Sequence, residues 1–92
     1  MLTASKRKDL KGKAHHLQPL LQVGKNGVTD QLKEELMRVA KKRGLVKVRF
    51  LRSHADEHDR HASAQEIVVG TGLELVSVTG NTAVVWHPDG KQ

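Results

Sequence analysis

Residues 20–32, LLQVGKNGVTDQL, decide the reading of this chain. The stretch opens on apolar Leu20, Leu21 and Val23. It closes on Thr29 and Asp30 ahead of Leu32, the pattern of a helix start. Between them two glycines, Gly24 and Gly27, enclose Lys25 and Asn26. Before the loop, HLQPLLQV (16–23) reads as a strand. Leu17, Leu21 and Val23 share one face, and Gln18, Leu20 and Gln22 the other. Pro19 has no N–H to donate, which places the strand at a sheet edge. After the loop, Leu32, Leu36, Val39 and Ala40 recur at i, i+4, i+7 and i+8, which predicts a helix from about Asp30 to Arg43. Lys41, Lys42 and Arg43 complement the dipole in its last turn, and Gly44 is the natural C′ residue. LVKVRFL (45–51) then alternates, with Val46, Val48 and Phe50 on one side and Lys47 and Arg49 on the other. Strand, helix and strand make a βαβ unit, so the two strands should be parallel.

Working outward, Thr3 or Ser5 can cap a first helix running to about Ala14. Its apolar content is thin, only Leu10 and Ala14, and Gly12 weakens it. RSHADEHDRH (52–61) is polar and reads as a loop. ASAQEIVVGTG (62–72) reads as a short helix carrying Ala64, Ile67 and Val68, ended by Gly70 or Gly72. LELVSVTGNTAVVWHP (73–88) reads as two strands about the Gly80-Asn81 hairpin signal, stopped by Pro88 and followed by a tail. The expected order is α-β-α-β-α-β-β. The expected fold is α+β, a two-layer α/β sandwich with helices covering one face of a four-stranded mixed sheet.

Ninety-two residues suit one domain, taken as 1–92. The absence of cysteine excludes disulfides and thiolate metal sites. No apolar run approaches the roughly 20 residues of a membrane span, and the basic N-terminal segment lacks the apolar stretch of a secretory signal. The expectation is a cytoplasmic protein with no membrane partner. Charge is segregated. Residues 1–52 carry 14 Lys and Arg against 4 Asp and Glu, a balance of +10, and residues 53–92 carry 2 against 6, a balance of −4. Such polarity points to a polyanionic partner rather than to solubility alone. Phe50 and Trp86 are the only Phe, Trp or Tyr residues, too few for a base-stacking platform. A nucleic-acid binder of this composition should hold backbone more than it reads bases.

Two constellations carry chemistry. In GKNG (24–27) the glycines let the backbone approach a phosphate, a helix N-terminus lies just beyond, Lys25 adds a charge and Asn26 tolerates a tight turn. The spacing is not that of a Walker loop. A plain strand-to-helix turn explains those four residues equally well. The second constellation is His54, His58 and His61, with Asp56, Glu57 and Asp59 among them. On a helix the histidines would share a face and could hold zinc or nickel, which is the rival reading, a metal-dependent enzyme or metal-binding protein. The bland reading is a solvated loop, favoured by the absence of HExxH. No nucleophile elbow is present, and no catalytic residue or cofactor is assigned.

LKGKAHHLQPLLQVGKNGVTDQLKEEL (10–36), GLVKVRF (44–50) and TGLELVSVTGNTAVVW (71–86) together resemble the CRM domain, the chloroplast RNA splicing and ribosome maturation family with its bacterial YhbY-type single-domain members. The resemblance spans about residues 5–88. It rests on the ordered set of motifs: L-K-x-x-A-H-x-L-x-P, then G-K-x-G-L/V-T, then L-I/V-K-V, then a late hairpin. The chain departs from the pattern in its histidine- and acid-rich segment 54–65 and in Trp86, where Tyr is common. The resemblance implies a fold similar to the C-terminal domain of translation initiation factor three. It also implies an RNA-binding protein, of a kind associated with precursors of the large ribosomal subunit; the expectation is a monomeric, non-enzymatic protein that binds ribosomal RNA or such precursors. The contact loop it implies is Gly24, Lys25, Asn26 and Gly27. The basic track assigned beside it is Lys6, Arg7, Lys8, Lys11 and Lys13, with Lys47 and Arg49 on the sheet.

Overall fold

The computed structural model describes residues 2–56 and 58–89. The elements run α1 (Ala4–Ala14), β1 (Leu21–Val23), α2 (Asp30–Arg43), β2 (Leu45–Phe50), α3 (Arg52–Ala55), α4 (Arg60–Val68), β3 (Glu74–Thr79) and β4 (Thr82–Trp86). The sheet order is β1-β2-β4-β3. β1 pairs parallel to β2 with Leu21 opposite Val48, and the other two pairings are antiparallel. The α+β class, the four-stranded mixed sheet, the βαβ unit and the edge position of β1 all match the sequence reading.

Local chemistry accounts for the helix boundaries. Thr3 caps α1 through Lys6 N, and Thr29 caps α2 through Leu32 N, each at 3.1 Å. Asp59 accepts from the amides of His61 and Ala62 at the start of α4. Gly44 ends α2 at φ +82°, a conformation that other residues rarely adopt.

Two clusters of buried apolar residues lie on opposite faces of the sheet. The larger joins Val46, Val48 and Phe50 of β2 to Leu36 and Ala40 of α2 and to Ala64 and Ile67 of α4. Leu36 and Ile67 are fully buried, and each contributes roughly 1.5–3 kcal/mol by leaving water. The smaller joins Leu10 and Ala14 of α1 to Leu45, Val76 and Val84. The helices therefore do not all cover one face. α2 and α4 do, and α1 packs on the reverse. The alternation of β2 and β4 explains this, since Leu45 and Val84 are apolar residues pointing away from the main core and need a cover of their own. Leu17 follows α1 and packs against the smaller cluster, not with Leu21 and Val23 as the strand reading had it. β1 proper is Leu21–Val23, shorter than the strand read from the sequence; ahead of it Leu20 N already donates to Lys47 O at 3.0 Å, while Pro19 has no N–H to offer.

The second correction concerns residues 52–61. Arg52–Ala55 form the single turn α3 and Arg60 and His61 open α4, where the sequence reads as a loop, and His54 is completely buried.

Candidate nucleic-acid interface

The GKNG segment joins the end of β1 to the N-terminus of α2. Gly27 N donates to Gly24 O at 3.0 Å, closing a tight turn. Lys25 and Asn26 are exposed at its tip, and among the described residues their amides take no intramolecular acceptor. Gly27 has φ +70°, the left-handed region, which Asn26 at the same tip does not need.

A column of rings holds this turn from beneath. Phe50, in the core, lies 4.8 Å from the His54 ring, and His54 stacks on His58 at 5.0 Å with 23° between the ring planes. His58 Nε2–H donates to the Lys25 carbonyl at 2.8 Å. A Cβ at Gly27 would meet the His58 ring at 3.0 Å, so glycine is required there by both φ and contact. Gly24 sits against the Ser53 hydroxyl and Leu51. Leu51 N also donates to Val23 O at 2.9 Å, tying the start of α3 to the end of β1.

This arrangement does not favour the metal reading. His54 Nε2 is 2.7 Å from Ser63 Oγ, and His58 Nε2 is committed to Lys25 O. His61 is exposed on α4. Among the described residues no group of three or more His, Asp or Glu is placed to hold a metal. Glu57, named with the histidines above, lies outside the described residues. His54 Nδ1 has no partner, so a protonated ring would bury an unmatched N–H. Burial lowers the His54 pKa from the ordinary value of 6.5, the electrostatic influence of His58 and Arg60 adds to this, and Asp59 opposes it. The neutral form is favoured, and the ring packs between Phe50 and His58.

The cations divide into two groups. Arg7 and Lys6 are engaged by the protein itself. Arg7 Nη1 donates to Leu75 O at 2.6 Å and Val76 O at 2.7 Å, carbonyls at the register shift between Leu75 and Ser77 in β3. Lys6 Nζ lies 5.3 Å from the Trp86 ring centroid. Lys8, Lys11 and Lys13 are exposed on α1, with Lys13 paired to Asp9 at 3.4 Å. Lys47 reaches the Ala14 carbonyl at 3.4 Å, a long contact that leaves its charge half-exposed. Arg49 is exposed.

Pairing register shows where Lys47 and Arg49 lie. Gln22 sits opposite Arg49, Arg49 opposite Thr82, and Thr82 opposite Thr79, one polar row across all four strands. This row is on the α1 side of the sheet, beyond the patch that α1 covers, and its Gln22 end adjoins the GKNG turn. Lys47 lies one step back along β2, beside the end of α1. A continuous polar strip therefore links Lys47, Arg49 and Gly24. Sequence alternation placed Lys47 and Arg49 on this face. It gave no sign that α1 would leave half of it open. The supporting column was missed, although Phe50, His54 and His58 stand at four-residue intervals and Ser63 follows where α4 passes His54.

The chain matches the CRS1 / YhbY (CRM) domain family over residues 2–87. It is 38% identical over 86 residues to "Probable RNA-binding protein YqeI" of Bacillus subtilis, covering 94% of this chain and 88% of that one. It is 33% identical over 90 residues to "Probable RNA-binding protein PA4753" of Pseudomonas aeruginosa, covering 98% and 85%. The solution structure of hypothetical protein SAV1595 from Staphylococcus aureus superposes with a TM-score of 0.83 at 28% identity, over all of this chain and 94% of the other. These relatives bear the names of RNA-binding proteins and not of enzymes. The chain belongs to the CRS1 / YhbY (CRM) domain family.

Proposed function

We propose that this protein is a single-domain, non-enzymatic RNA-binding protein of the cytoplasm that associates as a monomer with ribosomal RNA or precursor large ribosomal subunits and assists their assembly. The observation that carries the reading is the GKNG turn, with free amides and an exposed lysine at a helix N-terminus, fixed by His58. Such a turn meets an RNA phosphate with preorganised donors, so little ordering is lost on binding. Lys25 pairs with the phosphate, and Gly24 and Gly27 allow the close approach. Arg49 and Lys47 continue the contact along the open strip of the sheet, and Lys8, Lys11 and Lys13 extend it onto α1. Lys6 and Arg7 contribute through the position of α1 more than through direct contact, since each already has a protein partner. Few aromatics are available for stacking, so the mode is backbone recognition with loose sequence preference. The names of the relatives support RNA as the ligand, and the family resemblance supports the ribosomal target.

The test is crosslinking in cells, with sequencing of the RNA recovered on the protein. The expected result is enrichment of large-subunit ribosomal RNA fragments, together with cosedimentation with immature large subunits. Recovery of transfer or messenger RNA in proportion to abundance would contradict the ribosomal assignment.

A further inference from the structure

At the other end of the open strip lies a cleft of about 650 Å³, between the α1–β1 connection, the last turn of α2 and the start of β2. Leu17, Leu20 and Leu45 give it an apolar floor, and Lys42, Arg43 and Lys47 stand at its rim. Lys13, paired with Asp9, lines it too, and among the described residues no carboxylate does. Leu20 is 45% exposed, a large apolar side chain open to water among cations. Leu20 N donates to Lys47 O at 3.0 Å, which ties this wall of the cleft to β2. The volume falls in the usual range for small-ligand sites. An apolar floor ringed by cations complements a nucleotide, with the base on the leucines and its phosphates on the rim.

We infer that this cleft holds one unstacked nucleotide of the same RNA strand that the GKNG turn grips. The inference rests on the RNA-binding reading and adds a second anchor to it. Leu20 and Gly24 are about 13 Å apart along the strand, and α2 spans about 21 Å between the two ends. At about 3.4 Å per stacked nucleotide, four to six nucleotides bridge the anchors. Lys47 and Arg49 lie along that path. The outcome is a minimum site length, and a base preference set by the fit of one ring on leucine rather than by stacking along the strand.

The experiment uses a 12-nucleotide single-stranded RNA and, separately, uridine monophosphate as probes of the whole protein. Amide shifts of Leu20 and Leu45 should move on adding the 12-mer. The double variant Lys42→Gln/Arg43→Gln should lose about tenfold in affinity. Its plot of log K against log salt should be shallower by about 1.4, the share of two phosphates on a single strand. Leu20→Ser should weaken binding about threefold or more with an unchanged salt slope. The equal-charge control Arg38→Gln/Lys41→Gln, outside the cleft, should do neither. If the control matches the cleft variant while wild-type protein binds the 12-mer, the cleft is refuted and the RNA reading stands. If uridine monophosphate binds as tightly as the 12-mer, the site serves free nucleotides and the strand-bound inference is wrong. If wild-type protein binds no RNA, both readings fall.

Discussion

His58 Nε2 donates to the carbonyl of Lys25, 33 residues earlier in the chain, at 2.8 Å. The bond fixes the backbone of the turn that carries Lys25 without using the lysine side chain. His58→Ala should release the turn and remove the ring that packs on Gly27. One exposed hydrogen bond and a stacked ring suggest a stability loss of roughly 0.5–1.5 kcal/mol, measured by urea unfolding. RNA affinity should fall several-fold, from a turn no longer preorganised. An unchanged RNA affinity in a folded variant would show that the turn needs no support.

Gly27→Ala tests the same contact from the other side. The new methyl would meet His58 at 3.0 Å in a backbone at φ +70°. A loss of roughly 1–3 kcal/mol is expected from strained φ and displaced ring together. Combining it with His58→Ala should recover the part caused by the ring and leave the part caused by φ, so a double-mutant cycle separates the two. Simple additivity would mean that ring and glycine do not interact.

The buried His54 makes stability pH-dependent. Its folded pKa is lowered, so the unfolded chain takes up a proton before the folded one does. Its contribution is fully present above the ordinary histidine pKa near 6.5. That contribution is lost as pH falls from there toward the lowered folded value. The unfolding midpoint should therefore drop as pH falls below about 6.5, and His54→Phe should flatten that drop. A His54→Phe profile parallel to wild type across this window would assign the acid sensitivity elsewhere.

How much of this was legible beforehand depends on whether a residue's partner is near in sequence. The βαβ unit was, because Leu32, Leu36 and Ala40 on one helix face and Val46, Val48 and Phe50 on one strand face are local periodicities. The hairpin at Gly80-Asn81 was, for the same reason. The cover that α1 gives the reverse face was not, since it depends on Leu45 and Val84 together needing Leu10. The GKNG turn was legible as a candidate from its glycines and charge. Its support was not, because His58 looks like any polar residue in a charged run until the fold brings it under Lys25. Arg7 shows the converse. It looks like one more cation on a basic helix, and only the irregularity in β3 reveals the carbonyls it serves.

Arg7 gives the next test. Arg7→Met keeps the apolar stem and removes the donors to Leu75 O and Val76 O. A loss of about 1–3 kcal/mol is expected, the penalty for part-buried carbonyls without partners. Lys8→Met, at a neighbouring exposed site, should stay within about 0.5 kcal/mol. Equal unfolding midpoints for the two variants would show that the β3 contact adds no stability.

Binding by a basic surface to RNA backbone should be electrostatic. With about 4–6 phosphates neutralised, log K against log salt on single-stranded RNA should slope about −3 to −4. Titration by fluorescence anisotropy at several salt concentrations measures this. A flat response, or loss of binding on changing one base, would mean recognition of bases.

The most direct measurement concerns the turn itself. Lys25→Asp/Asn26→Asp leaves both glycines in place and alters two exposed side chains, so stability should change by no more than roughly 0.5–1 kcal/mol. RNA affinity should fall at least about tenfold, since a cation is lost and two carboxylates face the phosphates. Arg38→Glu/Lys41→Gln carries the same change in charge, lies outside both the turn and the cleft, and is the control. The turn variant should bind far more weakly than the control at equal salt. Equal affinities for the two folded variants would contradict it and leave GKNG as a turn between a strand and a helix.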